Sequence, residues 1–387
     1  MSHRPFLPYS RQNILPDDLR AVVRVLKGDW LTTGPTVDEF ERKFAKYAGA
    51  KHAVAVSSGT AALHAAFFAA GVGPGDEVIV PATTFVATSN AAVYLGATPR
   101  FADVDPETAL MIPEAAEAAI TRKTRAIVPV DFAGHPADLD AFRRIARRHR
   151  LVLIDDAAHA LGARWRGRRI GSIADFTTFS FHPVKHITTG EGGMITTDDA
   201  EAAVRMRMFR HHGIMRDPKR LSVNEGPWYH EMQVLGFNYR ITDFQCALGI
   251  SQLAKVERFI KARREIARRY TEAFRDMDGV LTPLERKGAR HVYHIYPIRL
   301  ALDRLKASRR EIFEQLRKEG LGVQVLYIPV PWQPFYRKRF GTRRGQFPGA
   351  ERFYESEISL PIFPQMRNAD VARVIRTVRS VIGRAAR

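Results

Sequence analysis

The sequence predicts an α/β protein with a large domain on a mainly parallel sheet and a smaller α+β domain at the C-terminus. Three observations lead there. Short runs rich in Val and Ile, at residues 53–56, 77–80, 125–130 and 151–154, alternate with helix-period segments such as 61–70 and 139–149. This is the β-α-β-α rhythm of a parallel sheet covered on both faces. After two further strands, at 175–181 and 193–196, the pattern turns helical at 200–211 and again over 242–274. Beyond that stretch, a strand at 291–300, a helix at 309–319 closed by Gly320 and a strand at 322–327 outline a second, smaller unit. The chain accordingly divides into residues 1–254, an N-terminal segment plus the large domain, and 255–387, the small domain.

A length of 387 residues suits one subunit with two lobes, and 45% hydrophobic with 26% charged residues belongs to a globular chain. Residues 1–11 lack the basic start and apolar stretch of a secretory signal. No later run reaches the roughly 18 apolar residues of a membrane span, so a cytoplasmic protein with no membrane partner is expected. Cys246 is the only cysteine. It can form no internal disulfide and no cysteine-based zinc site, so no metal is expected, and it reads as a packed thiol on an apolar helix.

The net charge of +19 raises nucleic acid, an anionic membrane or a phosphorylated substrate as partners and selects none of them. Much of the excess is arginine at helical spacing, as in Arg143, Arg144, Arg147 and Arg148, which reads as a solvated helix face. No zinc-finger spacing, basic zipper or RNA-recognition signature accompanies the charge, so nucleic acid is not an expected partner.

Chemistry concentrates in four places. In Val56-Ser57-Ser58-Gly59-Thr60-Ala61-Ala62-Leu63 a strand runs through small hydroxyl residues into an alanine-rich helix. Free N–H groups at that helix start, with the Ser58 and Thr60 hydroxyls, could cradle a phosphate, although the same residues serve as ordinary caps. In Ile154-Asp155-Asp156-Ala157-Ala158-His159 a buried-type strand delivers two carboxylates at its C-terminal end, where α/β sheets place ligands. One of them could hold a proton on a pyridine nitrogen, or could cap the next turn. In Ser180-Phe181-His182-Pro183-Val184-Lys185-His186-Ile187-Thr188-Thr189-Gly190-Glu191-Gly192-Gly193, Lys185 stands among Ser, Thr, His and Gly, without the charged neighbours of a solvated surface. That suggests a working amine, able to form an imine and to move a proton. Last, Gly236-Phe237-Asn238-Tyr239-Arg240-Ile241-Thr242-Asp243 is a polar loop entering a helix.

Together, Ser58-Gly59-Thr60-Ala61-Ala62-Leu63, Asp156-Ala157-Ala158-His159-Ala160, Ser180-Phe181-His182-Pro183-Val184-Lys185 and Gly236-Phe237-Asn238-Tyr239-Arg240 resemble the DegT/DnrJ/EryC1/StrS sugar aminotransferases over nearly the whole chain. Pro8-Tyr9-Ser10-Arg11-Gln12-Asn13-Ile14, the Lys185 segment and Val323-Gln324-Val325 most resemble the branch that aminates C4 of a UDP-linked 4-keto-6-deoxy-N-acetyl hexose in pseudaminic acid biosynthesis.

The resemblance implies the type I fold of enzymes dependent on pyridoxal 5'-phosphate (PLP), as a homodimer with active sites shared between subunits. It implies Lys185 as the imine-forming catalytic residue, Asp156 as the partner of the pyridine nitrogen, and Ser58, Gly59, Thr60 and Ser180 around the phosphate. Asn238 would arrive from the neighbouring subunit. Phe85 and His159 would flank the cofactor ring, a core phenylalanine remaining the alternative for Phe85, while Tyr9, Thr32 and Tyr327 would line the sugar pocket. The implied substrates are a nucleotide-linked keto sugar and L-glutamate.

Two positions depart from the pattern. Leu326 and Pro331 stand where many relatives carry histidine, which leaves open a different nucleotide sugar of bacillosamine, legionaminic acid or perosamine type. A dehydratase of the same fold would replace the lysine by histidine, and Lys185 is present. A DNA-binding regulator on this fold would need a reader domain for which the chain has no room.

Overall fold

A computed structural model of the chain describes residues 6–386. Its largest sheet has seven strands: β1 (His52–Val56), β2 (Glu77–Pro81), β3 (Thr98–Ala102), β4 (Thr124–Ile127), β5 (Val152–Asp156), β6 (Phe176–Ser180) and β7 (Gly193–Thr197). They lie in the order β1-β7-β6-β5-β4-β2-β3, and every neighbouring pair is parallel except those made by β7. The sheet is mainly parallel, as the sequence predicts.

Helices in this part of the chain include α1 (Pro16–Leu26), α2 (Pro35–Ala48), α3 (Gly59–Ala69), α4 (Ala87–Tyr94), α5 (Leu139–His149), α6 (Ala200–Phe209), α7 (Asp243–Leu253) and α8 (Val256–Phe274). Strand residues alternate between faces. Val54, Val56, Val78 and Val80 pack with Leu63, Phe67, Met206 and Phe209 under α3 and α6. Ala53, Ala55 and Ile79 pack with Phe40, Phe44, Phe142 and Cys246 under α2, α5 and α7. Cys246 is the packed thiol its setting suggested, fully buried. On α5, Arg144, Arg147 and Arg148 face water, whereas Arg143 turns back to donate to the Ile173 carbonyl at 2.9 Å.

The helical stretch expected over 242–274 is two helices. Lys255 sits between them, its ammonium 2.6 Å from both Asp17 and Asp18 at the start of α1. α8 then joins two cores: Val256 and Ile260 pack with the large sheet, Ile266, Tyr270 and Phe274 with the C-terminal elements.

Those elements are a three-stranded antiparallel sheet of β8 (Val280–Leu281), β9 (Tyr296–Leu300) and β10 (Glu357–Leu360), in that order, with α9 (Arg309–Lys318) and α10 (Asn368–Ala385) packed on it. Ser308 caps α9 in a box with Glu311, and Gly320 follows it at φ 79°. Two expected strands need correction. Of residues 291–300 only the second half is strand, because the Val292 and His294 amides donate to the Gly134 and Ala133 carbonyls of the large domain at 3.0 and 2.8 Å. Residues 322–327 form no strand. Gln324 alone pairs with β10, through Ser359, while the Gly322 amide donates to Leu7 and the Leu326 amide to the Glu357 carboxylate. The N-terminal segment is anchored here too: Leu7 bonds Gly320 and Gly322, and the Ile362 amide donates to the Tyr9 carbonyl at 3.1 Å. Among the described residues, no helix is long and apolar enough to cross a membrane.

Candidate active site

Parallel strands leave their carboxyl ends on one edge, with loops there free to meet. β1, β2, β5 and β6 all end at this edge, beside a cavity of about 400 Å³ lined by residues that follow each of them.

Ser58 adopts extended backbone, and its hydroxyl accepts the Ala61 amide at 3.1 Å, so it does cap α3. The cap uses a lone pair and leaves the O–H free to donate. The Gly59 and Thr60 amides open the helix, where no intrahelical acceptor exists, and the positive end of the helix dipole lies with them. Gly59 is required by packing: a Cβ there would stand 2.9 Å from the Ser180 Cβ at the end of β6. Ser58, Gly59, Thr60 and Ser180 thus form one wall, the anion cradle that a phosphate needs.

Lys185 follows β6 and lines the same cavity. Burial brings its ammonium down from 10.5 to about 8, and the Asp156 carboxylate pulls the other way. The amine is therefore half neutral, and nucleophilic, near pH 8, well below the pH at which an ordinary lysine becomes so. Burial raises the Asp156 carboxyl, opposed by the Thr88 hydroxyl, the Ala158 amide and the Lys185 charge. The Thr88 hydroxyl donates to Asp156 Oδ2 at 2.7 Å and the Ala158 amide to Oδ1 at 3.2 Å.

Rings close the cavity. His159 is buried, and desolvation, aided by the Lys185 charge, holds its imidazole well below 6.5, hence neutral. Its Nε2 lies 3.3 Å from the Tyr327 hydroxyl, and its buried Nδ1 has no partner among the described residues. Phe85 is 56% exposed, which sets aside the core alternative, and its ring centroid is 5.8 Å from that of Tyr327. His294, 4.4 Å from His159 between centroids, backs the pair.

Of the residues singled out in the sequence, Tyr9, Ser58, Gly59, Thr60, Phe85, Asp156, His159, Ser180, Lys185 and Tyr327 line this one cavity. Thr32 and Asn238 do not. Thr32 is exposed and bridged to Thr242, and Asn238 is exposed and bridged to His211. Thr84, Thr88 and His294 also face the cavity and escaped the sequence reading. For the threonines a signal existed, since Thr83-Thr84-Phe85-Val86-Ala87-Thr88 sets hydroxyls four apart just after a strand. His294 offered none.

A half-buried amine that gives up its proton near pH 8, a carboxylate lining the same cavity, an anion cradle and flanking rings suit PLP, whose aldehyde, pyridine nitrogen and phosphate need those groups. Fold and site together are those of a type I PLP-dependent aminotransferase. The chain belongs to the DegT/DnrJ/EryC1/StrS aminotransferase family, which it matches over residues 12–379. It is 42% identical to the spore coat polysaccharide biosynthesis protein SpsC of Bacillus subtilis, over 97% of both chains. Among solved structures it resembles Spr1654 of Streptococcus pneumoniae, described as a sugar aminotransferase and solved in its PLP form, with a TM-score of 0.91 and 31% identity, covering 98% of this chain and 99% of that one. It also resembles PseC of Helicobacter pylori, an aminotransferase in the biosynthesis of pseudoaminic acid, with a TM-score of 0.90 and 31% identity over 98% of this chain and all of that one. The protein is a sugar aminotransferase that uses PLP and takes a keto sugar and an amino donor.

Proposed function

We propose that this enzyme moves the amino group of L-glutamate to C4 of a UDP-linked 4-keto-6-deoxy-N-acetyl hexose, as in pseudaminic acid biosynthesis. The observation that carries the reading is that Lys185, Asp156, His159 and the Ser58–Thr60 cradle open onto a single cavity that Tyr9 and Tyr327 also line. The likeness to PseC supports the choice of sugar, and the basic surplus of +19 suits a nucleotide diphosphate.

Bound PLP supplies an aldehyde that carries the amino group between half-reactions and a ring that takes up electron density. The residues do the rest. Lys185 would hold the cofactor through Nζ and, when free, would be the base that moves a proton between the donor's α-carbon and the cofactor's aldehyde carbon, then in reverse for the sugar. Asp156 keeps the pyridine nitrogen protonated, held in its own orientation by Thr88. Neutral His159 and Phe85 would flank the ring, the imidazole adding no charge there. The Gly59 and Thr60 amides, with the Ser58 and Ser180 hydroxyls, hold the phosphate. Because the bound cofactor would keep the amino group between the two halves, ping-pong kinetics are expected.

The active unit in this reading is a homodimer, with Asn238 and Thr32 reaching the partner's cavity. Exposed apolar side chains support it, among them Leu19 on α1, Trp30 just after it, and Trp228 and Leu235 in the segment before Asn238. A second reading has a specific observation behind it. SpsC is closer in sequence than PseC, at 42% against 31%, and Leu326 and Pro331 depart from the common histidines, so another nucleotide-linked keto sugar is the alternative. The deciding experiment incubates the enzyme and glutamate with the UDP-linked 4-keto-6-deoxy-N-acetyl hexose and, separately, with GDP- and other UDP-linked 4-keto sugars, and identifies products by NMR. Amination at C4 of the first supports the proposal. Turnover of another sugar alone moves the specificity there.

A further inference from the structure

Antiparallel hydrogen-bonded pairs recur at every second residue. Gln324 and Ser359 make one such pair, exchanging bonds of 3.2 and 2.8 Å. Their next pair would be Leu326 with Glu357. It does not form, because the Leu326 amide donates to the Glu357 side chain, Oε2, at 2.8 Å. A carboxyl group thus stands in for a main-chain acceptor and holds the chain off the strand by its own length. The residue that follows the displaced amide is Tyr327, which leaves the sheet and enters the cavity, its hydroxyl 3.3 Å from His159.

We propose that Glu357 is a positioning residue of the active site, its buried carboxyl prising residues 325–327 from β10 and aiming Tyr327 at His159. Glu357 has no exposed surface, and its Oε1 lies 2.5 Å from the hydroxyl oxygen of the equally buried Ser359. Among the described residues no ion pair accounts for this burial of an acid, so its two hydrogen bonds define what it does there. Desolvation raises the carboxyl to about 8, against the pull of Ser359, the Leu326 amide and Arg309, so the group is largely neutral near pH 7. A glutamine has the shape and atoms to replace it: its oxygen accepts from Leu326 and its nitrogen donates to Ser359.

The inference rests on the cavity being the active site, and its test separates the two. Holoenzymes carrying Glu357→Ala, Glu357→Gln, Tyr327→Phe and Glu357→Ala with Tyr327→Phe are compared for kcat and KM toward the keto sugar. Amide hydrogen exchange is followed at Leu326 and Gln324. Glu357→Ala is expected to lower kcat/KM on the order of 10- to 100-fold, the scale of a group misplaced by roughly 1 Å. The Gln variant retains most of the activity, and the double variant is no worse than the poorer single one. Leu326 exchange speeds up in the Ala variant and not in the Gln variant, while Gln324 stays protected in both. Independent, multiplying losses in the double variant, a silent Tyr327→Phe beside an impaired Glu357→Ala, or a Gln variant as poor as Ala overturns the proposal. If Glu357→Ala does not fold, the Gln variant decides alone, through its activity and its Leu326 exchange. Activity surviving in Lys185→Ala instead refutes the active-site reading itself.

Discussion

Thr88 donates its hydroxyl to Asp156 at 2.7 Å, and Thr84 stands 2.8 Å behind Thr88. Since Thr88 spends its proton on Asp156, Thr84 must donate to Thr88, so a two-step chain ends on the carboxylate. That chain opposes the rise in the Asp156 carboxyl that burial imposes. Thr88→Val keeps the shape and removes the donor, so Asp156 becomes harder to ionise. The expected result is roughly tenfold weaker PLP binding, about 1.5 kcal/mol for a bond to a charged group, with recovery in Thr88→Ser. Equilibrium titration of apoprotein with PLP measures it, and unchanged affinity in the Val variant would show that the chain does not tune Asp156.

Lys185 sets the second expectation. Its ammonium falls from 10.5 to about 8 through burial, and an amine attacks an aldehyde only when neutral. Capture of PLP by apoprotein should therefore accelerate as pH rises through about 8 and then level off, where an exposed lysine would still be accelerating. Asp156 holds the ammonium up, so Asp156→Asn should shift the midpoint lower. Rapid mixing across this range, with absorbance of the lysine-bound chromophore as signal, reads both effects. Lys185→Ala should show neither chromophore nor turnover.

The sheet was legible in the sequence because Val and Ile runs need burial on both faces, and the motifs were legible because each follows such a run. Lys185 stood out by the absence of charged neighbours. What escaped depends on residues far away in the chain. Residues 322–327 have the composition of a strand, and only Glu357, 31 positions later, diverts the Leu326 amide. The break between α7 and α8 is marked by Lys255 reaching Asp17 and Asp18, 238 and 237 positions earlier. His294 reads as one more strand residue until the Ala133 carbonyl takes its amide.

Asp155 carries a stability prediction. It is fully buried, and neither carboxylate oxygen has a partner among the described residues. Desolvation, with the charges of Asp131 and Asp156, raises its carboxyl well above 3.8. The folded state therefore keeps a proton that the unfolded chain has released, and stability falls as pH climbs from about 3.8 through the raised value. Asp155→Asn removes the proton that Asp155 takes up on folding and with it that dependence. Relative to the variant, the wild type should lose up to ~1.4 kcal/mol per pH unit within the window. Urea melts of both proteins at several pH values test this, and parallel curves would show that Asp155 does not bind the extra proton.

The anion cradle can be tested by the space at two glycines. A Cβ on Gly59 would meet the Ser180 Cβ at 2.9 Å, whereas a Cβ on Gly73 would have nothing within 4 Å. Gly59→Ala must therefore push Ser180 or the first turn of α3 aside, a cost of about 1–3 kcal/mol for overpacking. The displaced groups are those assigned to the phosphate, so part of that cost should appear as weaker binding of PLP and of inorganic phosphate to the apoprotein, both by about tenfold. Gly73→Ala should leave both affinities unchanged and alter stability by no more than about 0.5 kcal/mol. The two ligands distinguish the sources of loss. Phosphate has no aldehyde and no ring, so a variant that loses PLP while binding phosphate normally has been damaged at Lys185 or Asp156. Parallel weakening of both ligands places the damage where α3 begins, and normal binding of both would mean that the phosphate is held elsewhere.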